Sequence, residues 1–70
     1  MATHTVESAR RRIGKTQKEC ADYLGINVTN FSLKENGKQK WELEQAFKFV
    51  EFINKYLENK ITPEDIDWKF

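Results

Sequence analysis

The chain has 70 residues, of which 33% are charged and 39% hydrophobic, and its formal net charge is +1. This length permits one domain, residues 1–70, with a small core. The single cysteine, Cys20, excludes an internal disulfide, and with one histidine, His4, the sequence lacks the spacing of a zinc site. We expect no metal and no cofactor, and we expect Cys20 to be a small core residue.

Membrane and enzyme classes are also disfavoured. No apolar stretch approaches the roughly 18 residues of a membrane span, and the N-terminus is polar and then basic, unlike a signal peptide. We therefore expect no membrane contact and a reducing, cytoplasmic compartment. The sequence has no Ser/His/Asp arrangement, Cys/His pair or Gly-rich phosphate loop, so we expect no catalytic activity.

The charges are divided unequally along the chain. Residues 1–40 contain eight Lys or Arg and four Asp or Glu, which gives +4, whereas residues 41–70 contain four Lys and seven acidic residues, which gives −3. This asymmetry is typical of a protein that presents one basic face to phosphates. Ordinary scatter of surface charge is the alternative explanation.

The first predicted helix covers about Thr5 to Ile13. Val6, Ala9 and Ile13 are spaced to face inward, and Gly14 is its stop. No β pattern or repeat follows anywhere in the chain, so we predict an all-α fold of five helices in one bundle.

Residues 16–38, TQKECADYLGINVTNFSLKENGK, have the pattern of two short helices joined by a tight turn. Thr16 and Glu19 are spaced as a capping box, and Gly25 suits the left-handed end of the first helix. Asn27 is a good cap for the second helix. Together these features predict a helix-turn-helix. The apolar face of its first helix consists of Cys20, Ala21 and Leu24.

These residues resemble the DNA-binding domain of the phage Cro and repressor family, also called the Xre family. The matching features are the initial TQ, the A..LG before the turn, the apolar Phe31 and the ENGK that ends the second helix. The resemblance covers about residues 5–66, with the helix-turn-helix at about 16–36. It implies a lambda-repressor-like bundle and a transcriptional regulator, such as a repressor, in a bacterial or phage-infected cell. It also implies sequence-specific binding to a (pseudo)palindromic double-stranded operator, and a homodimer at least on DNA.

The second helix of the motif contains the candidate base contacts. In helix-turn-helix proteins its N-terminal part enters the major groove, whereas Phe31 must face the core. Many relatives have polar or basic residues at Val28 and Leu33, although apolar side chains also contact the thymine methyl group. These two residues leave an alternative open: an antirepressor-like modulator that binds another regulator protein. The positions matching the family's base contacts are Val28, Thr29, Asn30, Ser32 and Leu33.

The resemblance also implies phosphate contacts around the motif. A helix N-terminus with its side chains can hold a phosphate, and basic loops follow the DNA backbone. A merely solvated loop is the alternative. The positions implied are Gln17, Asn36, Lys38 and Lys40, with Lys18, Lys15 and Lys34 as additions.

A partly buried ion pair between Arg10 and Glu35 is a further implication of the resemblance. It would tie the first helix to the recognition helix and fix the angle between them. The alternative is that both side chains are solvated. We expect Arg11 and Arg12 to be exposed, where they could lie near phosphates.

A long amphipathic helix is predicted after residue 40, followed by a last turn at residues 62–65 that Thr62 caps. Additional aromatic residues extend beyond its main stripe. They either complete the monomer core or form a surface for a second copy or another protein, and the resemblance favours the second copy. The main stripe consists of Leu43, Ala46, Phe47, Val50, Ile53 and Leu57, and the additional residues are Phe49, Phe52, Tyr56, Trp68 and Phe70.

Overall fold

A computed structural model describes residues 4–68 of the chain. Within this range the architecture is mostly helical, and two short strands join its ends. The helices are α1 (Val6–Arg12), α2 (Gln17–Leu24), α3 (Val28–Glu35) and α4 (Leu43–Asn54), followed by a 3-10 turn at Pro63–Asp65. The strands are β1 (His4–Thr5) and β2 (Ile66–Asp67), which pair in parallel. None of the helices in residues 4–68 is both long and apolar enough to cross a bilayer.

The prediction of a chain without β structure is wrong at its two ends. In the parallel ladder, His4 lies opposite Ile66 and Thr5 opposite Asp67. A strand of two residues is too short to produce the alternating pattern by which strands are found in a sequence. The predicted fifth helix is a single 3-10 turn after Thr62, so the structure does not contain a five-helix bundle within residues 4–68.

Local capping explains where the helices of the predicted motif begin and end. The Thr16 and Glu19 side chains each accept a hydrogen bond from the other residue's backbone N–H, as predicted. Asn27 Oδ1 accepts the N–H of Asn30 at 2.7 Å and starts α3. Gly25 follows α2 with a φ of 75°, a left-handed conformation that is unfavourable for any residue with a Cβ atom. The two helices of the motif therefore have the predicted bounds within one or two residues.

Aromatic side chains form the centre of the core. The Trp41 ring lies 6.0 Å from Phe31, 5.4 Å from Phe49 and 4.9 Å from Trp68, measured between centroids. Trp41, for which the sequence pattern predicts no role, precedes α4 and is buried. The core cluster is Val6, Ala9, Cys20, Ala21, Leu24, Phe31, Trp41, Ala46, Phe49, Val50, Phe52, Ile53, Ile66 and Trp68.

The structure decides between the two alternatives for three of the five additional aromatic residues. Phe49, Phe52 and Trp68 are at most 8% exposed, so they complete the monomer core and are not available to a second copy. Tyr56 remains half exposed. Phe70 lies outside the described residues.

The main stripe of α4 is rotated relative to its prediction. Leu43 and Phe47, expected inside, are 72% and 54% exposed, whereas Phe49 and Phe52 are buried in their place. The apolar residues of α4 cover more of the helix than the core can bury, so either edge could have faced inward. Ring contacts select the second edge, since Phe52 stacks on Tyr23 of α2 with centroids 4.5 Å apart.

Helix α4 ends before the apolar stripe that was predicted for it, which extends to Leu57. It ends at Asn54, whose side chain donates to the Ile61 carbonyl and accepts the Ile61 N–H, both at 2.9 Å. Lys60 Nζ donates to the Asn54 carbonyl at 2.7 Å. These bonds fold the chain back, so Tyr56 and Leu57 lie in the turn after α4.

Candidate nucleic-acid interface

Helix α3 has one buried and one accessible face. Phe31, Lys34 and Glu35 are at most 5% exposed and face the interior. On the other side, Val28 is 42% exposed and Thr29 is also exposed. All five candidate base contacts have accessible side chains, because Asn30, Ser32 and Leu33 are partly exposed.

The polar groups on the accessible face are mostly unengaged. Within residues 4–68, no side-chain hydrogen bond involves Thr29, and Asn30 uses only its backbone N–H in the cap. Ser32 Oγ accepts one long hydrogen bond, 3.4 Å, from Asn36 Nδ2. This face therefore presents a hydroxyl and an amide that can still donate and accept hydrogen bonds, beside the methyl groups of Val28.

A buried network fixes the orientation of α3. Arg10 Nε donates to Glu35 Oε2 at 2.8 Å, and Arg10 Nη2 donates to Glu35 Oε1 at 3.3 Å. The side chains are only 12% and 3% exposed, so the structure contains the partly buried ion pair that the resemblance implied. The hydrogen bond with Glu35 raises the pKa of Arg10 above its ordinary value, against the opposing effect of burial.

Two further residues join this network. Gln17 Nε2 donates to Glu35 Oε1 at 2.9 Å, and Arg10 Nη1 donates to the Lys15 carbonyl at 2.9 Å. One carboxylate thereby connects α1, the start of α2 and the end of α3. A phosphate contact is the only role predicted for Gln17 from the sequence. In the structure one N–H of its amide donates to Glu35, and the second N–H is still available to a phosphate.

The loop after α3 has two cations without an acidic partner. Lys38 and Lys40 are exposed, as is Asn36, and no ion pair within residues 4–68 involves either lysine. By contrast, Lys18 Nζ lies 3.2 Å from an Asp22 oxygen, so its charge is partly compensated. Among the predicted phosphate contacts, Lys38 and Lys40 thus contribute the least compensated positive charge.

The other two lysines proposed as additions are engaged within the protein. Lys15 Nζ lies 3.7 Å from Glu19 and 4.4 Å from the centroid of the Tyr56 ring. Lys34 is only 5% exposed, which corrects the expectation that it reaches a phosphate.

Lys34 holds the basic loop instead. Its Nζ donates to the Lys40 carbonyl at 2.8 Å, and its own carbonyl accepts the Trp41 Nε1–H at 3.2 Å. The Leu33 carbonyl also accepts the N–H of Lys38 at 2.9 Å. This role is absent from the sequence-based expectations, although Lys34 follows Phe31 by three residues and so belongs to the inward stripe of α3.

The remaining chemistry-bearing groups are few. Cys20 is fully buried, and burial raises the pKa of its thiol to about 12. Within residues 4–68 there is no cluster of three or more His, Cys, Asp or Glu residues that could hold a metal ion, and no pocket.

Comparisons of this chain with protein-family models, with curated proteins and with solved structures found no match. Its function is therefore inferred from the residues and geometry described above.

Proposed function

We propose that this chain is a sequence-specific double-stranded DNA-binding transcriptional regulator of the Cro and repressor type. In this proposal it acts as a dimer on a (pseudo)palindromic operator in a bacterial or phage-infected cell. The observation that carries the proposal is the accessible face of α3, which the buried Arg10–Glu35 pair holds at a fixed orientation.

The dimensions and charges of this region suit a duplex. An α-helix with side chains is about 10–12 Å across, which fits the major groove of B-DNA, about 12 Å wide. With the start of α3 in the groove, Val28 and Thr29 would lie nearest the bases. Lys38 and Lys40 follow the other end of α3, where a phosphate backbone borders the groove. They would anchor the protein without distinguishing sequences.

The side chains on α3 indicate which base edges it would contact. Asn30 has the amide that pairs with the N6 and N7 of adenine, and the Thr29 hydroxyl suits either donor or acceptor edges. Val28 and Leu33 would pack on thymine methyl groups. This combination favours operators with A·T pairs at the contacted positions.

The proposal is tested by selecting the duplex that binds most tightly from a random library. The affinity of the protein for this selected duplex is then compared with its affinity for a scrambled sequence. Fluorescence anisotropy at one salt concentration should show binding at least about 10³-fold tighter to the selected duplex. Val28→Ala with Thr29→Ala should reduce this preference, by roughly 1–3 kcal/mol per base pair affected, and leave binding to the scrambled duplex nearly unchanged. Absence of any sequence preference in the parent protein would refute the proposal.

A second arm separates phosphate anchoring from base readout. Lys38→Ala with Lys40→Ala should weaken binding to both duplexes equally and reduce the salt dependence by about one counterion for each phosphate that is no longer neutralised. Lys48→Ala, on the outer side of α4, is the matched control and should leave the salt dependence unchanged on a duplex with a single half-site. An unchanged salt dependence in the loop variant would show that this loop does not contact DNA.

A second candidate function is a modulator that sequesters another regulator protein. The observation that favours it is the apolar character of the α3 face, where Val28 is 42% exposed and Leu33 is partly exposed. The same titration in the presence of a candidate partner distinguishes the two functions. A modulator binds the partner and shows no preference among duplexes, and Val28→Ala weakens its binding to that partner.

A further inference from the structure

The first two turns of α4 expose two large apolar side chains. Leu43 is 72% and Phe47 54% exposed, while the core retains the opposite side of the helix. The neighbouring residues Glu44 and Lys48 are exposed as well. We call Leu43, Glu44, Phe47 and Lys48 the α4 patch. They are spaced so that all four lie on one side of the helix.

The charges of the α4 patch have no partner within the described chain. Pairs of opposite charge four residues apart are joined elsewhere, as in Glu7–Arg11 at 2.7 Å on α1 and Lys18–Asp22 at 3.2 Å on α2. No ion pair within residues 4–68 includes Glu44 or Lys48. The patch therefore offers one negative and one positive charge to an external surface.

The arrangement of the patch is complementary to itself. At roughly 100° per residue, Leu43 and Phe47 form an apolar row, and Glu44 and Lys48 form a charged row beside it. The two members of each row are four residues apart. When a second helix runs in the opposite direction, the first member of each row therefore lies opposite the second member of the same row. A second helix of the same sequence, running antiparallel, would place leucine against phenylalanine and glutamate against lysine.

We propose that the α4 patch is the docking surface for a second copy of this chain, with the two α4 helices antiparallel about a two-fold axis. Leu43 of each copy packs on Phe47 of the other, and Glu44 of each copy pairs with Lys48 of the other. An interface of this kind is isologous, the commonest form in homodimers. A parallel arrangement about a two-fold axis would place the two charged rows on opposite sides of the apolar contact, so Glu44 and Lys48 would gain no partner from the second copy.

The size of the patch determines the strength of the association. Stable interfaces bury about 800 Å² and 20–30 residues per partner, far more than four side chains provide. We therefore expect a weak dimer, with a dissociation constant of roughly 0.1–1 mM in the absence of DNA. On two adjacent half-sites the local concentration reaches the millimolar range, so the weak interface would then produce cooperative binding. This last step rests on the proposed function, whereas the association itself does not.

Charge reversal provides a test without DNA, so its result is independent of whether the chain binds an operator. Sedimentation equilibrium of the full chain should show the average mass rising toward that of a dimer as the concentration approaches about 1 mM. E44K and K48E should each weaken this association by about tenfold or more, because each variant places like charges opposite one another twice. E58K, which reverses an exposed charge outside the patch, is the matched control and should behave as the parent.

Mixing E44K with K48E is the decisive arm. In the mixed dimer one helix contributes two positive charges and the other two negative charges, so association should return to at least the parent level. The double variant E44K/K48E should also associate, because it exchanges the two charges in both copies. Circular dichroism of every variant checks that the fold is retained. A parent protein that stays monomeric at this concentration, or a mixture no stronger than its components, overturns the proposal.

Discussion

The Glu35 carboxylate is the most connected side chain near the accessible face of α3. It accepts three hydrogen bonds, two from Arg10 and one from Gln17, and its side chain is 3% exposed. A buried charge is tolerated only when such partners replace the water that it loses. In a buried pair the cost of desolvation offsets much of the Coulomb attraction, but removing one partner leaves the other charge uncompensated. The pair therefore contributes mainly by fixing how α3 is oriented.

Replacing Glu35 by Gln should reveal this dependence. The substitution keeps the shape of the side chain and leaves the Arg10 guanidinium, 12% exposed, without its counter-charge. We expect the free energy of unfolding, measured with urea at pH 7, to fall by about 3 kcal/mol. Glu58→Gln, on an exposed residue, is the control and should change it by less than about 0.5 kcal/mol. Equal effects of the two substitutions would argue against a structural role for the pair.

Cys20 should be chemically inert in the folded protein. It is fully buried, and burial raises the pKa of its thiol from 9.0 to about 12. The thiolate that reacts with disulfide reagents is therefore scarce at pH 8. In a Glu58→Cys variant, we expect one thiol to react with a chromogenic disulfide at once and the second only after urea is added. Immediate reaction of both thiols in native buffer would contradict the burial of Cys20.

The same shift has a consequence for stability at alkaline pH. The unfolded chain releases the Cys20 proton near pH 9.0, whereas the folded chain keeps it up to about pH 12. The folded state therefore binds more protons than the unfolded state in this window. The protonated Cys20 thiol contributes fully to the free energy of unfolding below about pH 9, and this contribution is lost as the pH rises toward 12.

The helices of the motif show how much of the fold could be predicted from sequence. Thr16, Gly25 and Asn27 act through bonds within four residues along the chain, so local pattern located α2 and α3 correctly. The ion pair required the family resemblance, because 25 residues separate Arg10 from Glu35. Long-range interactions of this kind leave no periodic signal in the sequence.

The buried face of α4 shows where local pattern fails. Its apolar residues extend from Leu43 to Phe52 around more than half of the helix, and periodicity alone cannot choose which edge is buried. Packing on Tyr23 of α2 and on Trp41 of the loop before α4 makes that choice. The short β ladder was missed because its two-residue strands carry no alternating pattern and pair across the whole described chain, from His4 to Ile66.

The loop between α3 and α4 depends on Lys34, and Lys34→Met tests this. Methionine keeps the apolar stem but lacks the Nζ that donates to the Lys40 carbonyl at 2.8 Å. We expect the fold to remain and the amides of residues 38–40 to exchange hydrogen faster. If the proposed function holds, the salt dependence of DNA binding should also fall, although the replaced residue is only 5% exposed.

Lys38→Met is the matched control for the loop. It removes an exposed charge and keeps the hydrogen bond between Lys34 and Lys40, so amide exchange in the loop should match that of the parent. Unchanged exchange in the Lys34 variant would mean that other bonds, such as that from Lys38 N–H to the Leu33 carbonyl, are sufficient to hold the loop.

Both ends of the described chain contribute to one core. β1 and β2 pair directly, and Trp68, which follows β2, packs on Trp41 and Phe49 while its Nε1 donates to the Pro63 carbonyl at 2.9 Å. A domain of this size has little stability to spare, about 0.05–0.15 kcal/mol per residue. Residues brought together from distant parts of the sequence are therefore needed to complete the core, and Phe49, Phe52 and Trp68, for which the sequence left core and dimer surface open, serve this purpose.

Two substitutions on α4 separate core from surface across the whole molecule. Phe52 is 7% exposed and stacks on Tyr23, whereas Phe47 is 54% exposed on the other edge of the same helix. Phe52→Glu would bury an unpaired carboxylate and remove a packed ring, which together cost more than about 4 kcal/mol and should unfold the domain. Phe47→Glu should retain the parent's helical circular dichroism and melt within a few degrees of it, but lose association through the α4 patch. If the Phe52→Glu variant folds, Phe52 must lie at the surface and not in the core. If the Phe47→Glu variant unfolds, the α4 patch must belong to the core.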